Sequence, residues 1–193
     1  MPTKRKITEP EGVYFITFTC LQWRPLIQIV DGYDLVYQWF DYLKSKGHYI
    51  VGYVIMPNHI HVLVAFRNTG QPINTIVGNG KRFMAYGIVK RLKAMSDETL
   101  LHKLKWEVNM SDRKRNKLHE VWEDSFNWKE CRINTFLRQK LNYIHANPCK
   151  GVWMLADAPV NYEHCSAGYY ITGKQGRYEV LHYLELADID LTR

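Results

Sequence analysis

Two segments rich in β-branched and aromatic residues, 49–56 and 59–66, are separated only by Pro57 and Asn58. Both have the composition of strands, and a proline–asparagine pair between such segments is typical of a tight turn. The pattern therefore predicts an antiparallel β-hairpin. This feature restricts the fold more than any other, because it makes two strands neighbours in one sheet.

Strand and helix patterns alternate around this hairpin. The patterns predict, in chain order, a central strand at 13–19, a helix at 31–46 with Asp31 as its candidate N-cap and Gly47 as its stop, the hairpin, a helix at 73–95, an exposed charged excursion at 96–118, a short fourth strand at 119–126, and a helix at 129–146. The last helix is expected to end at Asn147-Pro148, because a proline disfavours helical structure in the residue before it.

The predicted order of elements is β-α-β-β-α-β, followed by a C-terminal helix and a tail. This order indicates an α+β fold, with a ferredoxin-like or RRM-like antiparallel sheet that carries its helices on one face. The opposite face is then expected to be free for a ligand. With 193 residues, we expect one domain over 1–193, with a core at about 12–150 and a C-terminal extension at about 151–193.

The charge balance favours an anionic partner. Lysine and arginine number 26 against 19 acidic residues, which gives a net charge of +7, and nucleic acid is the commonest partner of such a basic chain. No apolar run reaches the roughly 18 residues of a membrane span, and the first residues lack the apolar stretch of a signal peptide. We therefore expect a cytoplasmic protein without a membrane partner. A zinc site is a weaker alternative, because its four candidate ligands have no usual zinc spacing: Cys131, Cys149, His164 and Cys165.

His59 and His61 are two residues apart in the second strand of the hairpin. Side chains at i and i+2 of a strand point to the same face, so the two imidazoles are expected side by side, with Ile60 and Val62 on the opposite face. Such a pair forms half of a metal site that needs further ligands. The alternative is two histidines on a solvated sheet face.

Tyr143 and Asn147 are four residues apart near the end of the last predicted helix. Residues at this spacing project from the same side of a helix, about 6 Å from each other. An amide oxygen is a competent ligand for a hard divalent ion, and a phenol one turn away can reach what the ion holds. The alternative is a helix-end asparagine beside a packed tyrosine.

The two motifs together resemble a known family, the single-tyrosine HUH transposases, and most of all their REP-associated branch. Met-Pro-Asn-His-Ile-His-Val-Leu at 56–63 is followed by Tyr-Ile-His-Ala-Asn-Pro at 143–148. The resemblance covers most of residues 12–170. It also includes the opening strand, Lys81-Arg82-Phe83, Val121-Trp122 with Phe126, the Gly-Val-Trp at 151–153 and the Tyr-Glu-His-Cys-Ser-Ala at 162–167.

The resemblance implies a role for each motif residue. His59, His61 and Asn147 would be ligands of a divalent metal, Mg²⁺ or Mn²⁺, and Tyr143 would be the catalytic nucleophile. The implied activity is cleavage and rejoining of single-stranded DNA through a 5′-phosphotyrosine intermediate. The DNA is expected to carry hairpin or palindromic elements, and a homodimer is possible because relatives include dimers and monomers.

A basic side of the helix at 73–95 is the expected DNA contact. The candidates are Lys81, Arg82, Arg91 and Lys93, which would follow the phosphates. Two other functions stay open from the sequence. One is an inactive relative that only binds structured nucleic acid, and the other is a metalloenzyme unrelated to nucleic acid, which would leave the basic helix without a role.

Overall fold

The computed structural model, which describes residues 6–124 and 126–193, contains a four-stranded antiparallel sheet with strand order β2-β3-β1-β4. Its strands are β1 (Gly12–Thr19), β2 (Tyr49–Ile55), β3 (His59–Phe66) and β4 (Asn127–Glu130). The α-helices are α1 (Leu26–Ile29), α2 (Tyr33–Ser45), α3 (Ile73–Ala94), α4 (Glu98–Trp106), α5 (Met110–Arg113), α6 (Asn134–Ala146) and α7 (Ala167–Thr172). Short 3₁₀ helices cover Leu21–Trp23, Asn147–Cys149, Pro159–Asn161 and Tyr183–Asp188. The α+β fold class predicted from the sequence is confirmed.

The predicted hairpin is confirmed as β2 and β3. Ile55 pairs with Ile60, and the Met56 N–H donates to the His59 carbonyl oxygen at 2.8 Å to close the turn. The pairing shifts between Ile50 and Gly52, so β2 contains a bulge. β3 also pairs with β1 along its whole length, and this places both histidines in the interior of the sheet.

One face of the sheet is covered by α2 and α3, as the sequence predicts. Their apolar stripes pack on the side chains that β1 and β3 direct to this face, including Ile60 and Val62. Gly47, with φ +83°, follows α2 as its predicted stop. The prediction of Asp31 as N-cap is wrong: Gly32 holds that position, and Asp31 adopts φ 45°. Within the described ranges, no helix is both long and apolar enough to span a bilayer.

The charged segment at 96–118 is not the wholly exposed excursion that its composition predicts. It forms α4 and α5, and α4 buries Leu100, Leu101 and Leu104 against the core. A helix with charged residues on its outer side still contributes an apolar stripe, and the charge density of the segment hid this stripe.

The fourth strand lies later in the chain than predicted. Residues 121–123 only continue the end of β1, through an isolated bridge between Cys20 and Trp122, whereas β4 pairs with β1 at Asn127–Glu130. Ser125, within the predicted strand, lies outside the described residues. Because β4 occupies these positions, α6 begins at Asn134 instead of residue 129. The short, polar edge strand lacks the apolar alternation that identifies strands in a sequence.

The second face of the sheet is largely covered, so the expectation of a free face is wrong. Leu137, Leu141 and Ile144 of α6 pack on Phe15, Leu63 and other residues of this face. The tail adds Cys165 and Ala167 to this cluster and also lies along the edge of β2, where the Leu181 N–H donates to the Ile50 carbonyl oxygen at 2.9 Å. The end of the face that carries the histidines stays accessible beside the C-terminus of α6.

Candidate functional site

His59 and His61 lie side by side on the face that α6 covers, with ring centroids 4.7 Å apart. Each ring is held through Nδ1. Nδ1 of His59 lies 2.7 Å from Oδ1 of Asn58, and Nδ1 of His61 lies 2.6 Å from Oγ1 of Thr17. Polar partners of this kind fix the orientation of an imidazole and leave Nε2 for a ligand.

Both imidazoles are neutral near pH 7. Burial lowers the pKa of His59 to about 4, and only 7% of the residue is exposed. Burial, with smaller contributions from His59 and Lys140, lowers the pKa of His61 to about 3. A neutral imidazole carries a lone pair that can act as a ligand for a cation.

α6 brings Tyr143 and Asn147 to the same place. The Tyr143 ring lies 5.1 Å from the His61 ring, and Oδ1 of Asn147 lies 3.3 Å from Nε2 of His59. The helix is seated by Leu141, which contacts the sheet where Gly52 has no side chain. One chain therefore contains all four residues that the sequence singles out, and they converge at one end of the sheet.

His59, Tyr143 and Asn147 open onto a cleft of about 600 Å³. Its lining comes from the hairpin turn, the end of α6 and the segments before α1 and after α6: Trp23, Met56, Asn58, His59, Tyr143, Asn147, Lys150, Gly151, Val152 and Trp153. Tyr143 is 52% exposed, so its hydroxyl is accessible to a large substrate. His59 lies at the buried side of the cleft and Tyr143 at its open side, whereas His61 lies behind this lining and is 5% exposed.

The donor atoms fit a divalent cation. Asn58 donates from Nδ2 to the Trp23 carbonyl oxygen at 2.9 Å, so its Oδ1 faces His59 and accepts the Nδ1 proton. Nε2 of His59 then carries a lone pair, and it faces the carbonyl oxygen of Asn147 at 3.3 Å. Two such ligand atoms at this separation suit a shared cation, since neighbouring ligands of an octahedral Mg²⁺ are about 3 Å apart.

By residue type alone, two histidines and one asparagine are weak evidence for a metal site. Across residues 6–124 and 126–193, no group of three or more His, Cys, Asp or Glu side chains is arranged to hold a metal ion. The zinc alternative is therefore not supported. Nδ1 of His164 instead lies 3.0 Å from the Tyr37 hydroxyl, and the His164 ring stacks on the Tyr33 ring with a centroid distance of 3.7 Å.

The four basic residues predicted to bind DNA lie on α3, which packs on the other face of the sheet. Arg82 and Lys93 are exposed. Lys81 is half-buried and donates to the Glu123 carbonyl oxygen at 3.0 Å. Arg91 pairs with Asp34 at 2.5 Å and also donates to the carbonyl oxygens of residues 30 and 31. Lys81 and Arg91 thus stabilise the packing of α3, whereas the other two cations face solvent.

Some residues of the site were not predicted from the sequence. Thr17 and Asn58 orient the histidines, and Asn58 could have been found because it directly precedes His59 in the turn. Lys140 lies one turn before Tyr143 on α6, with Nζ 5.1 Å from the Phe15 ring, and Lys150 lines the cleft. No sequence pattern marks Trp23 as part of the site, since its position depends on the backbone conformation of the loop after β1.

Comparison with known proteins identifies the fold. No protein-family profile matches the chain, and neither does any curated protein. Among solved structures, a REP-associated tyrosine transposase bound to a REP hairpin is similar with a TM-score of 0.63 and 14% identity, over 94% of this chain and 100% of that one. A candidate transposase from Deinococcus radiodurans R1 aligns with a TM-score of 0.39 and 17% identity, over 75% of this chain and 95% of that one. The first similarity confirms the resemblance at the level of the fold.

Proposed function

We propose that this chain is a single-tyrosine transposase of the REP-associated kind, which cleaves and rejoins single-stranded DNA. The observation that carries the proposal is the convergence of the two histidines, Tyr143 and Asn147 at one end of the sheet. A pure binding protein has no use for a pair of neutral imidazoles that face an amide oxygen beside an exposed phenol. The shared fold with a transposase solved on a REP hairpin adds support.

The proposed ligands of a divalent cation, Mg²⁺ or Mn²⁺, are Nε2 of His59, Nε2 of His61 and Oδ1 of Asn147. Such an ion supplies Lewis-acid polarisation of a phosphate and counters the charge that develops on its oxygens. Three neutral ligands leave the ion most of its positive charge. Asn58 and Thr17 hold the two rings in the orientation that this role requires.

Tyr143 is the proposed nucleophile. Its oxygen attacks phosphorus, the bond between phosphorus and the 3′ oxygen breaks, and the phenol loses one proton while the leaving 3′ oxygen gains one and becomes a hydroxyl. A phenol ionises and departs more readily than an alkyl alcohol, so the 5′-phosphotyrosine bond keeps its reactivity and a second 3′ hydroxyl can reverse the step. Because Tyr143 lies beside His61 of its own chain, the proposed reaction needs no second copy.

The proposed DNA path leads from the cleft around the sheet edge to α3. Lys81 reaches Glu123, whose N–H donates to Thr19, and Thr19 pairs with His59. The basic side of α3 is therefore continuous with the end of the sheet that holds the site. We assign phosphate contact to the exposed Arg82 and Lys93. Removal of either should reduce the salt dependence of DNA binding by about one unit of slope.

The test of the proposal is covalent capture of DNA. Single-stranded oligonucleotides with hairpins from the DNA beside the gene are incubated with Mn²⁺, and adducts are separated on denaturing gels. The chain should form an adduct that requires the metal. Tyr143→Phe should form none but bind the same DNA with near-normal affinity, and the matched control Tyr42→Phe, on α2, should behave as the parent.

Two outcomes would contradict this assignment. Adducts that survive in Tyr143→Phe would reject the nucleophile. Tight DNA binding by the parent chain without any cleaved product, over a broad set of hairpin substrates, would instead favour a protein that only binds structured nucleic acid.

A further inference from the structure

Trp23 is a bulky apolar side chain left exposed at the edge of the proposed catalytic cleft. Its ring lies 5.6 Å from the His59 ring in an edge-to-face arrangement, yet 62% of the residue is exposed. Exposure of a tryptophan is not unusual by itself. Its place is unusual, because the indole lies next to a proposed metal ligand and lines the same cleft as Tyr143.

The backbone that carries this side chain is in an unfavourable conformation. Gln22 and Trp23 have φ values of 52° and 56°, in the left-handed region that residues with a Cβ rarely adopt. Folding of the loop after β1 does not call for a tryptophan here, since glycine or asparagine adopts such a conformation more easily. Strained positions of this kind cluster at functional sites.

The strained turn is held in place from several sides. The Trp23 carbonyl oxygen accepts from Nδ2 of Asn58 at 2.9 Å, and Asn58 also holds His59. The Gln22 N–H donates to Oε1 of Glu123 at 2.6 Å, and its side-chain amide donates to Oε1 of Glu107 at 2.9 Å. These contacts fix the indole relative to the histidine, so a group bound on the indole has a defined place beside the metal ligands.

The chemistry of the cleft indicates what that group is. An indole face attracts planar aromatic groups, and Lys150 in the same lining attracts anions. A nucleotide of single-stranded DNA offers both a π-face and a phosphate, and base stacking on aromatic side chains tolerates any base. A phosphate at the histidines would bring the base of the same or the adjacent nucleotide within reach of Trp23.

We propose that Trp23 is a stacking platform for the unpaired base next to the scissile phosphate. The proposal rests on the proposed function, since it assigns a substrate subsite to that same cleft. The platform holds the nucleotide and thereby places the phosphate in front of Tyr143. Base stacking of this kind contributes roughly 5- to 100-fold to the affinity for single-stranded DNA.

The test compares a strand with bases to a strand without them. All variants carry Tyr143→Phe, so that DNA is bound but not cleaved, and Mn²⁺ is present. The probes are a fluorescein-labelled oligothymidylate of about 12 nucleotides and an abasic oligomer of the same length and charge. Affinity is measured by fluorescence anisotropy for Trp23→Ala, Trp23→Phe and the matched control Trp106→Ala, which removes a tryptophan that is 74% exposed at the end of α4.

Trp23→Ala should weaken binding of the oligothymidylate roughly 5- to 100-fold and leave the affinity for the abasic oligomer unchanged. Trp23→Phe should restore most of the loss, and Trp106→Ala should cause none. The unchanged abasic affinity also shows that the variant is folded. An equal loss on both probes, or no loss on either, would overturn the stacking platform.

The two proposals fail in different ways. If the chain with its native Tyr143 forms no covalent adduct but Trp23→Ala shows the loss that depends on the base, strand transfer is rejected and the base subsite stands. If adducts form normally and Trp23→Ala binds both probes as the parent does, the platform is rejected and strand transfer stands.

Discussion

Gly52 sets how closely the helix that carries Tyr143 can approach the sheet. A Cβ atom at this position would lie 2.4 Å from Cδ2 of Leu141, a residue that is only 3% exposed, and 3.4 Å from Oγ of Ser166. Leu141 precedes Tyr143 by two residues on α6. A methyl group at Gly52 must therefore displace Leu141 or the helix, and either change alters the distance between Tyr143 and the histidines.

We expect Gly52→Ala to destabilise the fold by about 1–3 kcal/mol, the usual range for extra volume in a packed core. Its effect on the reaction should be larger. A displacement of roughly 1 Å between reacting groups can lower a rate by about 100-fold, so covalent adduct formation should fall by about that factor. DNA binding should change little, because the phosphate contacts proposed on α3 lie across the sheet.

The assay combines urea unfolding with single-turnover adduct formation, and Gly78→Ala is the matched control. Gly78 lies on α3 with nothing within 4 Å of an added Cβ, so its substitution should leave activity unchanged and stability equal or higher. Leu141→Ala should cost about 2–5 kcal/mol by itself. Combined with Gly52→Ala, it should cost less than the sum by roughly 0.5–3 kcal/mol. Strict additivity, or normal activity of Gly52→Ala, would refute the claim that this contact sets the helix position.

Two further perturbations test the surroundings of the site and the titration of the fold. Asn58→Ala removes the acceptor of the His59 Nδ1 proton and should lower Mn²⁺ affinity by roughly 10- to 100-fold in calorimetry; unchanged affinity would mean that Asn58 does not orient the ring. Burial, aided by the charge of Arg67, lowers the pKa of His48 to about 4. Since the unfolded chain takes up this proton near pH 6.5, the stability from neutral His48 is complete above that pH. It is lost, by roughly 3 kcal/mol, as the pH falls to about 4. His48→Gln should flatten urea-unfolding stability over this window, and an unchanged slope would contradict the assignment.

The parts of the fold that the sequence predicts are those with a local period. His59 and His61 share a face because strands alternate, and Tyr143 and Asn147 share a side because of the helical repeat. The hairpin follows from the turn at Pro57-Asn58. Each of these features depends only on residues that are neighbours in the chain.

What the sequence could not provide depends on contacts between distant segments. α6 can approach the sheet this closely because Gly52 has no side chain, and Gly52 lies 89 residues before Leu141 in the sequence. β4 escaped prediction because a polar edge strand is defined by its pairing with β1 and not by its composition. In the sequence, Arg91 is indistinguishable from a DNA-binding cation, because its salt bridge with Asp34 is visible only in the structure.

The most direct test of the proposed metal centre is an anomalous-scattering map from crystals of the chain grown with Mn²⁺. The account predicts one strong peak about 2.0–2.3 Å from Nε2 of His59, Nε2 of His61 and Oδ1 of Asn147, on the cleft side that faces Tyr143. A map with no peak between these three atoms at saturating Mn²⁺, or with the ion bound elsewhere, would contradict it.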